Sequence, residues 1–141
     1  MQRNRQSGFT LIEIMVVLVI IGVMAALVVP NILGRPDEAR ATIAAADIRA
    51  IESALEIYRL DNHNYPSTDQ GLEALVKKPL GTPEPADWKS EGYLRKLPQD
   101  PWGNPYQYLS PGIHGAYDLY SLGADGKIGG EQKNSDITNW Q

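Results

Sequence analysis

Glu13 is the only charged side chain among the twenty-one residues from Phe9 to Val29. A carboxylate in an apolar span costs at least about 2.5 kcal/mol on the most forgiving insertion scales, so it has to be paired, neutralised or within reach of water. Two chemistries answer that need. Glu13 lies four residues after Phe9, close enough to the start of the run to snorkel towards lipid headgroups as an interfacial acid. Alternatively it meets a cation at its own depth. Arg3 and Arg5 are outside the span, on the far side of Gly8, but a cut between Gly8 and Phe9 would create an amino group on Phe9 in the same layer. The second stretch with chemical capacity is Ser121-Leu122-Gly123-Ala124-Asp125-Gly126-Lys127-Ile128-Gly129-Gly130, closed by Ser135-Asp136-Ile137. Asp125 and Asp136 offer two carboxylates, and the glycines let the backbone wrap tightly and expose carbonyls. Calcium takes roughly six to eight such oxygens. No glutamate closes the stretch in the EF-hand manner. On chemistry alone, a bare Asp-Gly turn fits these residues as well as a metal site does.

The elements that position these residues follow from pattern. Ile14 to Val29 carries no charge and no strong hydrogen-bonding side chain. As a helix, the run from Phe9 is about 30 Å long, the thickness of a bilayer's hydrocarbon core, which predicts one membrane span. A secretory signal is the competing reading, with Val23-Met24-Ala25 as a passable cleavage sequence. Against it, Glu13 interrupts the apolar core and the run continues past Ala25. The positive-inside rule keeps the end bearing Arg3 and Arg5 in the cytoplasm, with the remainder across the membrane. Pro30 lacks an N–H and crowds the preceding turn, which predicts a kink or a loosened turn near the far membrane face. With Gly34-Arg35-Pro36 two readings stay open. Either the membrane helix ends and a new one starts with Pro36 in its first turn, or one long bent helix continues.

Residues 37–60 read as an amphipathic helix. Ala44, Ile48, Ile51, Leu55 and Tyr58 recur at three- and four-residue steps on one face, and Ile43, Ala50, Ala54 and Ile57 are expected to widen it. Asn62-His63-Asn64-Tyr65-Pro66 stops the helix. Ser67 and Gln70 have capping-box spacing and predict a short helix over 71–76, ended by Pro79. Residues 79–92 form a proline-containing loop, with Trp88 either an exposed contact or, as the expected reading, its lid on the core. Pro98-Gln99-Asp100-Pro101-Trp102-Gly103-Asn104-Pro105 is a rigid turning segment. Residues 106–109 and 116–122 have strand composition and are joined by Pro111-Gly112-Ile113-His114-Gly115, which predicts an antiparallel pair.

Charge and composition exclude several classes. Arg3 and Arg5 are two of the 13 basic groups, so residues 9–141 hold 11 against 17 acidic groups, a net of −6. Nucleic-acid binding wants the opposite sign. Without cysteine there is no disulfide framework and no thiolate metal site. No Gly-x-Ser-x-Gly turn or phosphate loop is present, and His63 and His114 lie in unrelated turns. The chain reads as a structural protein and not as an enzyme.

Gly8-Phe9-Thr10-Leu11-Ile12-Glu13, after a basic leader and before an apolar helix, resembles the signal of type IV pilins and pseudopilins. Tyr65-Pro66, Asp100-Pro101-Trp102-Gly103-Asn104-Pro105-Tyr106 and Leu122-Gly123-Ala124-Asp125-Gly126, in that order, extend the resemblance over essentially the whole chain, to the major pseudopilins of the type II secretion system. That resemblance implies an α+β, type IV pilin-like fold. A long N-terminal helix, with a membrane-embedded half and an amphipathic half, packs on a small C-terminal antiparallel sheet with a calcium-binding loop. The implied organisation is a leader over 1–8, a membrane and filament-core helix over 9–30, an amphipathic helix over 31–62 and a periplasmic globular domain over 63–141. A prepilin peptidase would cut after Gly8 and N-methylate Phe9, and Glu13, fifth in the mature chain, would meet a neighbour's Phe9 amine during assembly. The partners implied are further copies in a helical filament, minor pseudopilins, an inner-membrane platform and an ATPase. The cofactor implied is Ca2+, held by the side chains of Asp125 and Asp136, the Leu122 carbonyl and oxygens of Lys127 and Ser135. A surface-fibre pilin and a membrane-anchored periplasmic binding module are the alternatives. Surface pilins often close this domain with a cysteine pair, which this chain lacks.

Overall fold

The computed structural model describes residues 9–33 and 35–141, with side chains described for 9–26, 36–132 and 134–141. The leader and its cleavage residue Gly8 lie outside the described residues. The chain divides into two compact units, Met1–Pro36 and Asp37–Gln141.

In the first unit, α1 spans Leu11–Leu33. Its described side chains are exposed on every side, from Leu11 and Ile12 through Val16, Ile20 and Met24. A helix apolar all round has no solvent face of its own and calls for an apolar surrounding. Among the described residues no helix is long and apolar enough to cross a membrane; on α1 the described side chains stop at Ala26, within the apolar run that the sequence carries to Val29. Pro30 falls inside the α1 span, but its side chain, and with it the expected kink, lies outside the described residues.

The second unit is built on α2, Arg35–Asn62. The expected stripe is its buried face: Ala44, Ile51 and Leu55 are fully buried and Ile48 and Tyr58 nearly so. The widening residues divide. Ala54 is buried, whereas Ile43, Ala50 and Ile57 face outwards, because the contact surface is a narrow stripe of three- and four-residue steps. The helix stops in a left-handed residue, His63 (φ 66°), whose N–H bonds the Arg59 carbonyl at 2.7 Å. Ser67 and Gln70 form the reciprocal bonds of a capping box: the Gln70 N–H donates to Ser67 Oγ, and the Ser67 N–H to Gln70 Oε1. After this box the chain makes a turn, and the short helix expected over 71–76 is a 3-10 helix, Leu72–Leu75.

Three antiparallel strands complete the unit in the order β1 (Gln107–Leu109), β2 (Asp118–Ser121), β3 (Ile137–Thr138). Tyr108 faces Leu119 across β1–β2, and Ser121 faces Ile137 across β2–β3. Leu72, Ala74, Leu75, Tyr106, Tyr117 and Leu119 close over the α2 stripe. Trp88 is the expected lid: it packs on this core and donates its indole N–H to the Ala74 carbonyl at 2.9 Å. At the β1–β2 connection the buried Asp118 accepts the Ile113 and His114 N–H groups at 2.9 and 3.0 Å and the His114 ring at 3.0 Å. Burial opposes its ionisation, but these donors outweigh burial and hold the carboxyl below its ordinary value.

Candidate functional site

The N-terminal site is assembled by helix capping. Thr10-Leu11-Ile12-Glu13 has the spacing of a capping box, a second signal in a stretch where Glu13 stands out first as a charge in an apolar run. The Glu13 N–H donates to Thr10 Oγ1 at 3.3 Å, while Glu13 Oε2 accepts from the Thr10 N–H at 3.3 Å and from its hydroxyl at 3.4 Å. These distances are at the long end of the hydrogen-bond range. The carboxylate is therefore turned back onto Thr10, the residue after Phe9 in sequence, without being held tightly. Phe9 is 83% exposed. Glu13 thus has a structural role at the helix start in addition to any role as an anion.

The C-terminal loop is closed by an element that the sequence pattern does not announce. β3 is only two residues long, and its pairing of Ile137 with Ser121 places the neighbouring Leu122 and Asp136 at the two mouths of one loop. Between them Gly123–Asp125 and Gln132–Asn134 each make a 3-10 turn, and Gly126 takes the left-handed conformation at φ 65°. Gly123, also left-handed at φ 63°, approaches the opposite side of the loop so closely that an added Cβ would stand 2.8 Å from the Ser135 carbonyl oxygen. Asp125 Oδ1 accepts the Lys127 N–H at 3.1 Å, and Asp136 Oδ2 accepts the Gly129 N–H at 2.8 Å. Asp136 Oδ1 is buried with no hydrogen-bond partner among the described residues. A buried carboxylate oxygen left unpaired is costly, and it is the kind of group a hard cation satisfies. The structure thus brings together the Leu122 end, the Ser135 carbonyl and Asp136, with Asp125 on the exposed turn between them. Among the described residues no three His, Cys, Asp or Glu side chains gather as a metal-holding group. Any cation here would rest on two carboxylates and backbone oxygens, the hard donor set that suits calcium.

Asp100 was not expected to take part. It is 3% exposed, and its Oδ1 accepts the Trp102 and Asn104 N–H groups at 3.1 and 2.7 Å. Its Oδ2 accepts the hydroxyl of the fully buried Ser121 at 2.6 Å, and Ser121 Oγ in turn accepts the Gly123 N–H at 3.2 Å. Asp100 in a proline-rich turning segment carries the sequence signal of a turn former; its partner twenty-one residues away does not show in any local pattern.

Comparison with known proteins identifies the family. A family model described as type II secretion system (T2SS), protein G matches residues 31–140, and one described as the prokaryotic N-terminal methylation motif matches residues 3–29. A type II secretion system core protein G of Pseudomonas aeruginosa is 66% identical over 140 residues, covering 99% of both chains. That of Vibrio cholerae is 57% identical over 137 residues, covering 97% of this chain and 93% of its own. That of Escherichia coli K12 is 56% identical over 137 residues, covering 97% and 92%. The crystal structure of the major pseudopilin from the type 2 secretion system of enterohaemorrhagic Escherichia coli superposes with a TM-score of 0.71 at 50% identity, over 80% of this chain and 96% of that one. The α+β, pilin-like architecture implied by the sequence is therefore the observed one. From the matched models, the full-length relatives and the shared fold, this chain belongs to the type II secretion system protein G family, the major pseudopilins.

Proposed function

We propose that this pseudopilin is stored in the inner membrane by its apolar run Phe9–Val29, with the end bearing Arg3 and Arg5 cytoplasmic and the unit Asp37–Gln141 periplasmic. A prepilin peptidase cuts after Gly8 and methylates the new amino group of Phe9. Each mature subunit then carries one Phe9 amine and one Glu13 carboxylate. A head-to-tail contact between them repeats without closing and yields a helical filament. An ATPase, an inner-membrane platform and minor pseudopilins serve its growth, and the filament drives folded proteins through the outer membrane.

The observation that carries this reading is the environment of Glu13. Its carboxylate is turned back onto Thr10, which follows Phe9 in sequence, at the long distances of 3.3–3.4 Å, on a helix whose other described side chains are apolar and exposed all round. An incoming ammonium, charged where the Thr10 donors are not, makes a shorter and stronger bond to this carboxylate than either of them. Glu13→Gln separates the two roles of the residue, since glutamine also completes a capping box but carries no charge. Both Glu13→Gln and Glu13→Ala should insert and be cleaved normally, yet assemble few filaments, measured by shearing and immunoblotting. Filament yield from Glu13→Gln equal to that of the unsubstituted chain would reduce Glu13 to a cap.

The C-terminal loop fits calcium, held by the carboxylates of Asp125 and Asp136 and by oxygens of Leu122, Lys127 and Ser135. A cation bound there would supply the positive charge that the unpaired Asp136 oxygen lacks. The chain's own contribution is to present those oxygens, through the Ser121–Ile137 pairing and the close approach of Gly123 to Ser135.

A further inference from the structure

We propose that Asp100 is a positioning residue for cation binding, acting through Ser121 on the Leu122 carbonyl. This rests on the calcium reading of the C-terminal loop and deepens it.

The geometry runs in one direction. The backbone from Asp100 to Asn104 is wound on its own first residue: the Gly103 N–H donates to the Asp100 carbonyl, the Asp100 N–H to the Asn104 carbonyl, each at 2.9 Å, and the Trp102 and Asn104 N–H groups to Asp100 Oδ1. The carboxylate is thereby fixed, with Oδ2 left, among the described residues, for one outside partner, the Ser121 hydroxyl at 2.6 Å. A carboxylate in this state only accepts, so the serine must donate to it. That commitment turns the serine oxygen's lone pairs elsewhere, and the Gly123 N–H takes one of them at 3.2 Å. The Gly123 N–H and the Leu122 carbonyl belong to one planar peptide unit. Fixing the N–H therefore fixes the direction of the Leu122 carbonyl, which points to the opposite side of that peptide. The same glycine has the Ser135 carbonyl against it, where an added Cβ would fall 2.8 Å away. A buried turn outside the loop thus holds the peptide that carries one expected ligand next to the carbonyl that supplies another. With the ligands oriented before binding, the cation has less chain to order on arrival.

The test uses the full chain in detergent micelles, with calcium itself as the probe. In the calcium-free unsubstituted chain, the Gly123 amide should be protected from hydrogen exchange; a freely exchanging Gly123 amide overturns the relay at its first link. Ser121→Ala and Asp100→Asn should each weaken calcium binding by about tenfold, the scale of one lost hydrogen bond to a charged group. They should also raise Gly123 exchange in the calcium-free state. The Lys127 and Gly129 amides, which bond Asp125 and Asp136, should keep their exchange rates. Asp125→Ala should show the converse, with calcium binding lost and Gly123 protection kept. Unchanged calcium affinity in a folded Ser121→Ala chain overturns the proposal while leaving the calcium reading intact. Failure of the unsubstituted chain to bind calcium overturns both.

Discussion

Asp136→Asn should change the stability of this protein in opposite directions with and without calcium. Without the ion, Asp136 Oδ1 is buried and unpartnered among the described residues, while Oδ2 holds the Gly129 N–H. Asparagine keeps the shape and one acceptor for Gly129 and puts an uncharged NH2 where the unpaired charged oxygen stood. An unpaired amide costs less to bury than an unpaired charged oxygen, and at this half-buried position the difference is about 1 kcal/mol. For a unit of this size, relief of that cost raises the melting temperature by about 5 °C. With calcium at a hundredfold excess over its dissociation constant, the unsubstituted chain gains about 2.7 kcal/mol, or roughly 10–15 °C on the same scale. The variant should gain little. Thermal melts of the full chain in detergent, followed by tryptophan fluorescence, report the relevant unit, because Trp88, Trp102 and Trp140 all lie within Asp37–Gln141. The curves of the two chains should exchange order when chelator replaces calcium. A variant less stable than the unsubstituted chain by the same amount in both conditions would reduce Asp136 to the partner of Gly129.

Two other outcomes are expected of the same unit. Asp118 titrates below its ordinary value of 3.8 in the folded protein, so its stabilising effect is complete above that value and is lost as pH falls through the lower, folded-state value. Acid titration of the unsubstituted chain against Asp118→Asn should show a stability gap at neutral pH that closes only below pH 3.8; a gap that closes at higher pH would contradict the assignment. Leu55 is fully buried in the α2 stripe, and Leu55→Ala should cost about 2–5 kcal/mol in urea unfolding, while Ile57→Ala on the exposed side of the same helix should cost much less.

The parts of the fold that are legible in the sequence are those written in local periodicity or local turn chemistry. Ala44, Ile48, Ile51, Leu55 and Tyr58 recur at helical steps and are the buried face of α2. Ser67 and Gln70 have the spacing of a capping box and form one. Strands β1 and β2 flank a Pro-Gly connection and pair as expected. The features that escape a sequence reading depend on contacts distant along the chain. Ile137–Thr138 is too short to show alternation and is a strand only because Ser121 and Tyr120 lie beside it. Asp100 reads as a turn residue until its hydroxyl partner on β2 is seen. The Thr10–Glu13 cap is local and readable, but the charge of Glu13 points to chemistry before it points to backbone capping. At the C-terminal loop the sequence leaves a turn and a metal site equally open; the orphaned Asp136 oxygen and the Ser135 carbonyl against Gly123 supply the physical argument for a cation.

Whether this chain is the building subunit of a secretion filament is decided by deleting its gene and measuring, in the same cells, exoproteins released into the medium and pili on the surface. Exoproteins should accumulate in the periplasm while surface pili are unchanged, and the unsubstituted chain, but not Glu13→Gln, should restore release. Normal exoprotein release with loss of surface pili would contradict that role.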